Sequence, residues 1–382
     1  MDISIDILPI LDSHKTGVGW YTYNIIKYMA LNNEIKKYNF EFLGFDFLGR
    51  RNNTEVKEML EKIYPNSKYK LIKLIPYGVY RRIWDYLPFT YNYMFNSKSN
   101  LYCFFNFVIP HKIDGYVINT VYDMVYKVHP NTMTKANYKR LEKELARSCE
   151  RADIIVTISN NTRKEIIEYL KVPANKIRIV PCGVDTNFYK PIDGKKILSK
   201  YKIEKPYFLY IGTLEPRKNI RSIVRAFNNI LKKANHDVIL VIGGKKGWMY
   251  DEIFKTVKEL RLENDVLFLG YVPIEDMPAL YSNAISFVFP SLYEGFGIPP
   301  LEAMSCGCPV IVSNTSSFPE VVGNAGILVN PLNIEEISDA MYRIYCDNNL
   351  REDLKQKSIN RAKEFTWESA AKKMINIYKE FE

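Results

Sequence analysis

Residues 285–304 read ISFVFPSLYEGFGIPPLEAM, and the alternation of elements in this stretch decides the fold. The apolar run from Ile285 to Phe289 has the length and aromatic content of a buried strand, and Pro290 ends it. Gly295 and Gly297 allow the chain a tight path out of the strand. Pro299 and Pro300 then fit the first turn of a helix, where missing amide hydrogens matter little. Gly307 and Pro309 stop that helix, and Val310-Ile311-Val312 starts another strand. Strand, glycine turn, helix and strand in this order form one unit of a parallel α/β sheet. Glu294 lies on the loop of this unit and Glu302 in the first turns of its helix. The spacing does not require an acid/base dyad, and Glu302 alone can be read as a first-turn charge that favours the helix.

Working outward, the same unit recurs. After Pro206 come strands at Phe208–Ile211, Val238–Ile242, Val266–Phe268, Ile285–Phe289, Val310–Val312 and Ile327–Val329. Helices are expected from Asn219, from Tyr250, over Asp276–Ser282 and from Pro299. The first half shows strands at Ile3–Leu8, Phe40–Phe45, Leu71–Ile75, Gly115–Thr120, Ile154–Ile158 and Ile177–Val180, with helices at Gly19–Leu31, Thr54–Lys62 and Thr134–Arg151. The expected organisation is two Rossmann-like domains, residues 1–190 and 206–360, joined by a lysine-rich linker at 191–205 and followed by a helical tail at 361–382. Open parallel sheets place ligands beyond the carboxyl ends of their strands, so two such domains are expected to face each other across one cleft.

The chain has 382 residues, 47% of them hydrophobic and 25% charged, with a formal net charge of +10. The composition is that of a globular protein with two cores. A positive field suits an anionic small molecule, a nucleic acid or an anionic membrane surface. No zinc-finger spacing, homeodomain-like arm or dense arginine tract gives a nucleic-acid readout, so no nucleic-acid partner is expected. Of the six cysteines only Cys306 and Cys308 are close, without further ligands at zinc spacing, so reduced thiols and no metal are expected. Asp2 and Asp6 stand where a secretory leader needs basic residues, and no apolar stretch is long enough to span a bilayer. A cytoplasmic location follows as the expectation, with any membrane contact peripheral.

Two further loops carry candidate chemistry. Thr16-Gly17-Val18-Gly19 follows the first strand and opens a helix, where Gly17 and Gly19 let backbone amides approach an anion. The motif lacks the third glycine of a dinucleotide fingerprint and reads equally well as a tight connection. In the second half, Phe208–Ile211 runs into Gly212-Thr213-Leu214-Glu215-Pro216-Arg217-Lys218-Asn219. A strand end and a glycine turn thus deliver a rigid guanidinium fork and a mobile ammonium side by side, a pair suited to phosphate oxygens.

Taken together, Gly17-Val18-Gly19, the Gly212 to Asn219 loop, the Glu294 to Glu302 segment, Ser313-Asn314 and Pro319-Glu320 resemble, in order and over nearly the whole chain, the retaining glycosyltransferase family 4, which has the GT-B fold. The resemblance implies transfer of a sugar from a nucleoside-diphosphate sugar with retention of configuration and without a catalytic metal or other cofactor. By motif position it gives Arg217 and Lys218 the donor diphosphate, places Gly212 in the donor loop, and brings Gly17 and Gly19 to the diphosphate and reacting sugar. It assigns the transferred sugar to Glu294 and the donor ribose to Glu302. The family commonly has a His-Asp pair after a first-domain strand, where this chain has Tyr122-Asp123. Asp123 keeps the acceptor-side carboxylate, whereas Tyr122 offers one hydrogen bond and no imidazolium. His129, six residues beyond Asp123, is a second histidine candidate for the cleft.

Similarity to bacterial mannosyltransferases of surface-polysaccharide synthesis implies mannose from GDP-mannose, although no residue separates guanine from uracil. The acceptor implied is a glycan or lipid-linked glycan. Tyr80-Arg81-Arg82-Ile83-Trp84 combines basic and aromatic groups suited to a lipid-linked acceptor or to solvent alone. Two other readings stand beside transfer: a metal-free sugar-nucleotide 2-epimerase and a catalytically weak nucleotide-sugar-binding subunit.

Overall fold

A computed structural model describes residues 1–12, 15–49 and 54–382, and these divide into two compact units. The first contains seven strands: β1 (Asp2–Asp6), β2 (Asn39–Phe45), β3 (Lys68–Ile72), β4 (Leu101–Phe104), β5 (Tyr116–Val121), β6 (Ile154–Thr157) and β7 (Ile177–Ile179). They form one parallel sheet in the order β3-β2-β1-β4-β5-β6-β7. Its centre is buried on both faces: Ile3, Ile5, Leu101 and Ile155 are excluded from solvent, as are the polar Ser4 and Asn119, whose side chains are hydrogen-bonded within the unit.

The second unit contains β8 (Tyr207–Ile211), β9 (Ile239–Gly243), β10 (Val266–Gly270), β11 (Ser286–Phe289), β12 (Val310–Ser313) and β13 (Ile327–Val329). Its parallel order is β10-β9-β8-β11-β12-β13. The sequence of strands reverses direction between β8 and β11, so the loops leaving these two neighbours diverge and open a crevice at their carboxyl ends. Gly212 to Asn219 is the loop after β8, and Pro290 to Gly297 the loop after β11. Both expected donor loops therefore sit at the switch point of one sheet. Each unit is a Rossmann-like α/β domain, as expected.

Three details differ from the sequence expectation. β4 is absent from it, because four residues buried on both faces show no alternation. β3 begins three residues earlier than expected: it is an edge strand whose Lys70 pairs with Glu41 of β2 at 2.9 Å, and these polar side chains hide its period. The domain boundaries also shift. The second unit begins at Gly183, and the 191–205 stretch lies within it, with a helix at Lys195–Lys200 packed on the Met277–Ser282 helix. The 361–382 tail is not a separate element: residues 367–382 return to the first unit. There Trp367 packs edge-on against Tyr21 with ring centroids 5.9 Å apart. Residues 127–134, in the middle of the first half, belong by contact to the second unit.

Candidate active site

The β8 loop begins at Gly212, where a Cβ would lie 2.8 Å from the Tyr210 hydroxyl, so only glycine turns over that ring. Gly244, after β9, has φ +145, and a Cβ there would lie 1.8 Å from the Gly212 carbonyl oxygen. The backbones of the two loops thus touch, which fixes the path from Thr213 onward. Pro216–Lys218 form one 3-10 turn, and Asn219, at φ 57, redirects the chain into the Ile220–Leu231 helix. The Asn219 amide donates to the carbonyls of Pro290 (3.0 Å) and Pro331 (2.7 Å), and Leu292 N donates to the Arg217 carbonyl at 2.8 Å. The two switch-point loops are therefore tied backbone to backbone.

This tie brings three of the expected site residues together. Glu294, 8% exposed, receives Arg217 Nη1 at 2.8 Å and Lys218 Nζ at 2.5 Å, one cation on each carboxylate oxygen. Ser291 Oγ lies 2.8 Å from the same oxygen as Lys218. Arg217 reaches further, with Nη2 donating to Glu215 at 2.8 Å and Nη1 to the Tyr293 carbonyl at 2.7 Å. The Lys218 ammonium stands 4.9 Å from the Phe289 ring centroid, a cation–π contact with the strand below it. Serines hold the Glu294 backbone: Ser316 Oγ accepts from its N–H, and Ser317 Oγ donates to its carbonyl and to that of Phe296. Gly297 follows at φ +100, with a Cβ position 2.7 Å from Phe318, so the turn into the Ile298–Ser305 helix requires glycine.

The electrostatics separate the two glutamates. Burial opposes ionisation of Glu294, but Arg217 and Lys218 outweigh it and hold the carboxyl down at about 2. Lys218 lies below the ordinary lysine range because of burial and Arg217, with Glu294 acting in the opposite direction. Glu302 is not part of this cluster. It faces the phenols of Tyr281, at 3.3 Å, and Tyr189. Burial pushes its carboxyl up to about 8, only partly offset by those phenols. The expected charge at this helix is therefore a mostly protonated acid near neutrality, able to donate as well as accept a hydrogen bond.

In the first unit, the expected residues meet different fates. Asp123 follows β5 and accepts from Val125 N at 3.1 Å, opening the short Val125–Val128 helix. Tyr122 points into the core: its hydroxyl donates to the Phe105 carbonyl at 3.0 Å and its ring meets Tyr21 and Phe107. It is a packing residue and not a substitute for histidine. Gly19 is needed for packing, since a Cβ would lie 2.6 Å from the Pro9 carbonyl oxygen, whereas at Gly17 nothing among the described residues stands within 4 Å. An open groove of about 620 Å³ lined by Tyr116, Asp153, Arg178 and Glu380 lies at the amino ends of β5, β6 and β7, the edge of a parallel sheet opposite to its ligand sites.

Sequence reasoning did not single out Ser291, Ser316, Ser317, Asn219, Tyr293 or Trp248. Asn219 had a signal in hindsight, a residue able to hold φ above zero between a turn and a helix. The serines had none, since a bond to the Glu294 carboxylate or backbone leaves no pattern in the sequence.

Comparison with known proteins agrees with this architecture. Residues 195–361 match the family described as glycosyl transferases group 1, and residues 110–188 match glycosyltransferase family 4. Two solved structures share the fold: sucrose-phosphate synthase of Thermosynechococcus elongatus, with a TM-score of 0.76 at 19% identity over 100% of this chain and 98% of that one; and Anabaena HepE in complex with UDP and glucose, with a TM-score of 0.74 at 16% identity over 100% of both. The molecule is a glycosyltransferase with the GT-B fold. The O-antigen chain mannosyltransferase B of Escherichia coli is 33% identical over 375 residues, 95% of this chain and 96% of that protein. The chain belongs to the glycosyl transferases group 1 family, whose members move a sugar from a nucleoside-diphosphate sugar to an acceptor.

Proposed function

We propose that the protein transfers mannose from GDP-mannose, with retention of configuration, to a glycan or lipid-linked glycan of the cell surface. The observation that carries the reading is the buried Arg217–Lys218–Glu294 cluster at the switch point of the second sheet. In this reading Arg217 and Lys218 receive the donor diphosphate and stabilise the negative charge that grows as the bond to the sugar breaks. Glu294, kept ionised by the same two cations, stabilises positive charge at the anomeric carbon and orients the sugar hydroxyls. The acceptor hydroxyl attacks from the face the phosphate leaves, and the departing phosphate oxygen takes its proton. Glu302 holds the ribose. Asp123 serves the acceptor, and Gly17, at the start of its helix, meets a phosphate oxygen through its backbone. The mannose assignment is supported by the name of the Escherichia coli relative.

A cytoplasmic location with peripheral attachment to an anionic membrane is part of the proposal. It is supported by the exposure of Leu74 (88%), Tyr86 (86%) and Tyr93 (75%) beside Lys73, Arg81 and Arg82.

Titration calorimetry with GDP-mannose and UDP-glucose tests the donor site. Arg217→Ala is expected to weaken donor binding roughly ten- to a hundredfold, the worth of a charged hydrogen-bonding pair. Unchanged affinity in that variant would remove the cluster from the donor site.

A further inference from the structure

The Arg217–Lys218–Glu294 cluster, with Glu215, balances two cations against two carboxylates. A diphosphate diester carries two negative charges, so its arrival leaves the cluster short of positive charge. A neighbouring group that can gain a proton would correct this, and one stands in place. His129 belongs by contact to the second unit, and its ring lies 5.9 Å from that of Tyr293, whose carbonyl accepts Arg217 Nη1 at 2.7 Å. The segment is fixed from both sides. Thr132 Oγ1 and N donate to the His129 carbonyl at 2.7 and 3.0 Å, and the Trp248 indole donates to the Thr132 carbonyl at 2.8 Å.

We propose that His129 is a further ligand of the donor diphosphate and takes up a proton when the dianion binds beside Arg217. The inference rests on the reading that Arg217 and Lys218 hold the diphosphate. Burial, and then Arg217, hold the imidazole below its ordinary value. The groups that face it are Arg217 on the β8 loop, which acts on it electrostatically, and the Tyr293 ring on the β11 loop. Lys245 and Lys246, on the loop that carries Trp248, lie over the rings of Tyr271 and Tyr250. Of these, Arg217 is the charge that acts on the imidazole. A bound dianion screens that repulsion and raises the imidazole's affinity for a proton. The sign follows: donor affinity increases as pH falls from the bound-state value to the free-state value of His129, by at most about tenfold per pH unit for one proton. Outside that window it is flat.

Calorimetry of GDP-mannose and UDP-glucose in buffers of different ionisation enthalpy measures the proton directly, because the diester phosphates of both sugars have no proton to exchange near neutrality. The wild type is expected to take up a fraction of a proton on binding, and His129→Gln to bind several-fold more weakly with no uptake. Histidine resonances of the wild type give the same quantity without a variant: of the four histidines, His129 alone is expected to titrate higher with donor bound. Binding without uptake, or uptake retained in His129→Gln, overturns the proposal for His129 and leaves the Arg217 reading intact. Failure of Arg217→Ala to weaken binding overturns both.

Discussion

Glu294 is held by two cations inside the protein, so its removal acts on folding as well as on chemistry. Glu294→Gln leaves Lys218 without its paired carboxylate and Arg217 with Glu215 alone, and is expected to lower turnover on the order of 10²-fold. It should also lower the melting temperature. Because the folded carboxyl sits at about 2 against an ordinary 4.5, its stabilisation is complete above the ordinary carboxylate range and disappears as pH falls toward 2. The gap in melting temperature between wild type and variant should therefore close in acid; a gap that is constant with pH contradicts the ion pair. Glu302 has the opposite sign. Its carboxyl is raised to about 8, so the folded state loses stability as pH rises from the ordinary carboxylate range through 8. Glu302→Gln, which mimics the protonated acid, should be more stable than wild type above that value by on the order of 1 kcal/mol. Denaturant titration across pH checks this. That Arg217, Lys218 and Glu294 would stand on strand-end loops of one sheet was legible from turn chemistry and motif order. The contrast between the two glutamates was not, because it depends on Tyr189 and Tyr281, which are remote in sequence from Glu302.

At the scale of elements, the glycine loop of the first unit divides into two roles that its spelling conceals. Gly19 lies against the Pro9 carbonyl, while at Gly17, the start of the Gly17–Met29 helix, a Cβ would meet nothing among the described residues. Gly19→Ala is expected to destabilise the protein. Gly17→Ala should be neutral or stabilising by up to about 1 kcal/mol, since alanine is the better helix former. If the donor phosphate meets the Gly17 backbone, the same variant raises the donor KM. Thermal melts and donor kinetics on the two variants separate packing from binding, and an unchanged KM in Gly17→Ala removes that residue from the donor site. The helix and strand periods of both sheets were readable because core strands such as β8 and β11 are continuous apolar runs ending in glycine or proline. β4 was unreadable for the lack of any period, and β3 because edge lysines interrupt it.

For the whole molecule, the division of the chain was misread where contiguity was assumed. Nothing local in Lys127–Thr134 or Trp367–Tyr378 shows that the first joins the second unit and the last helix returns to the first. These are long-range packing decisions, made by contacts such as Trp248 with Thr132 and Trp367 with Tyr21. A chain ending at Thr366 should accordingly expose Tyr21 and the rest of its packing surface, and limited proteolysis should cut the first unit sooner than the second. Equal resistance in both units contradicts the assignment of the last helix. The membrane proposal belongs to this scale as well. Sedimentation with phosphatidylglycerol vesicles should capture the wild type in a salt-dependent manner, and the double variant Leu74→Ser, Tyr86→Ser should remain in solution. Equal capture by phosphatidylcholine vesicles contradicts an electrostatic attachment.

The central claim is that the switch-point cluster of the second unit uses a nucleoside-diphosphate sugar for retaining transfer. Nuclear magnetic resonance of the products from a panel of nucleotide sugars, incubated with a crude fraction of surface-glycan acceptors, tests it most directly. The expected result is nucleotide release with GDP-mannose and a new glycosidic linkage of the donor's own anomeric configuration, both greatly diminished in Glu294→Gln. Inversion at the transferred carbon contradicts the mechanism; release of no nucleotide from any donor by the folded protein contradicts the transferase reading of this site.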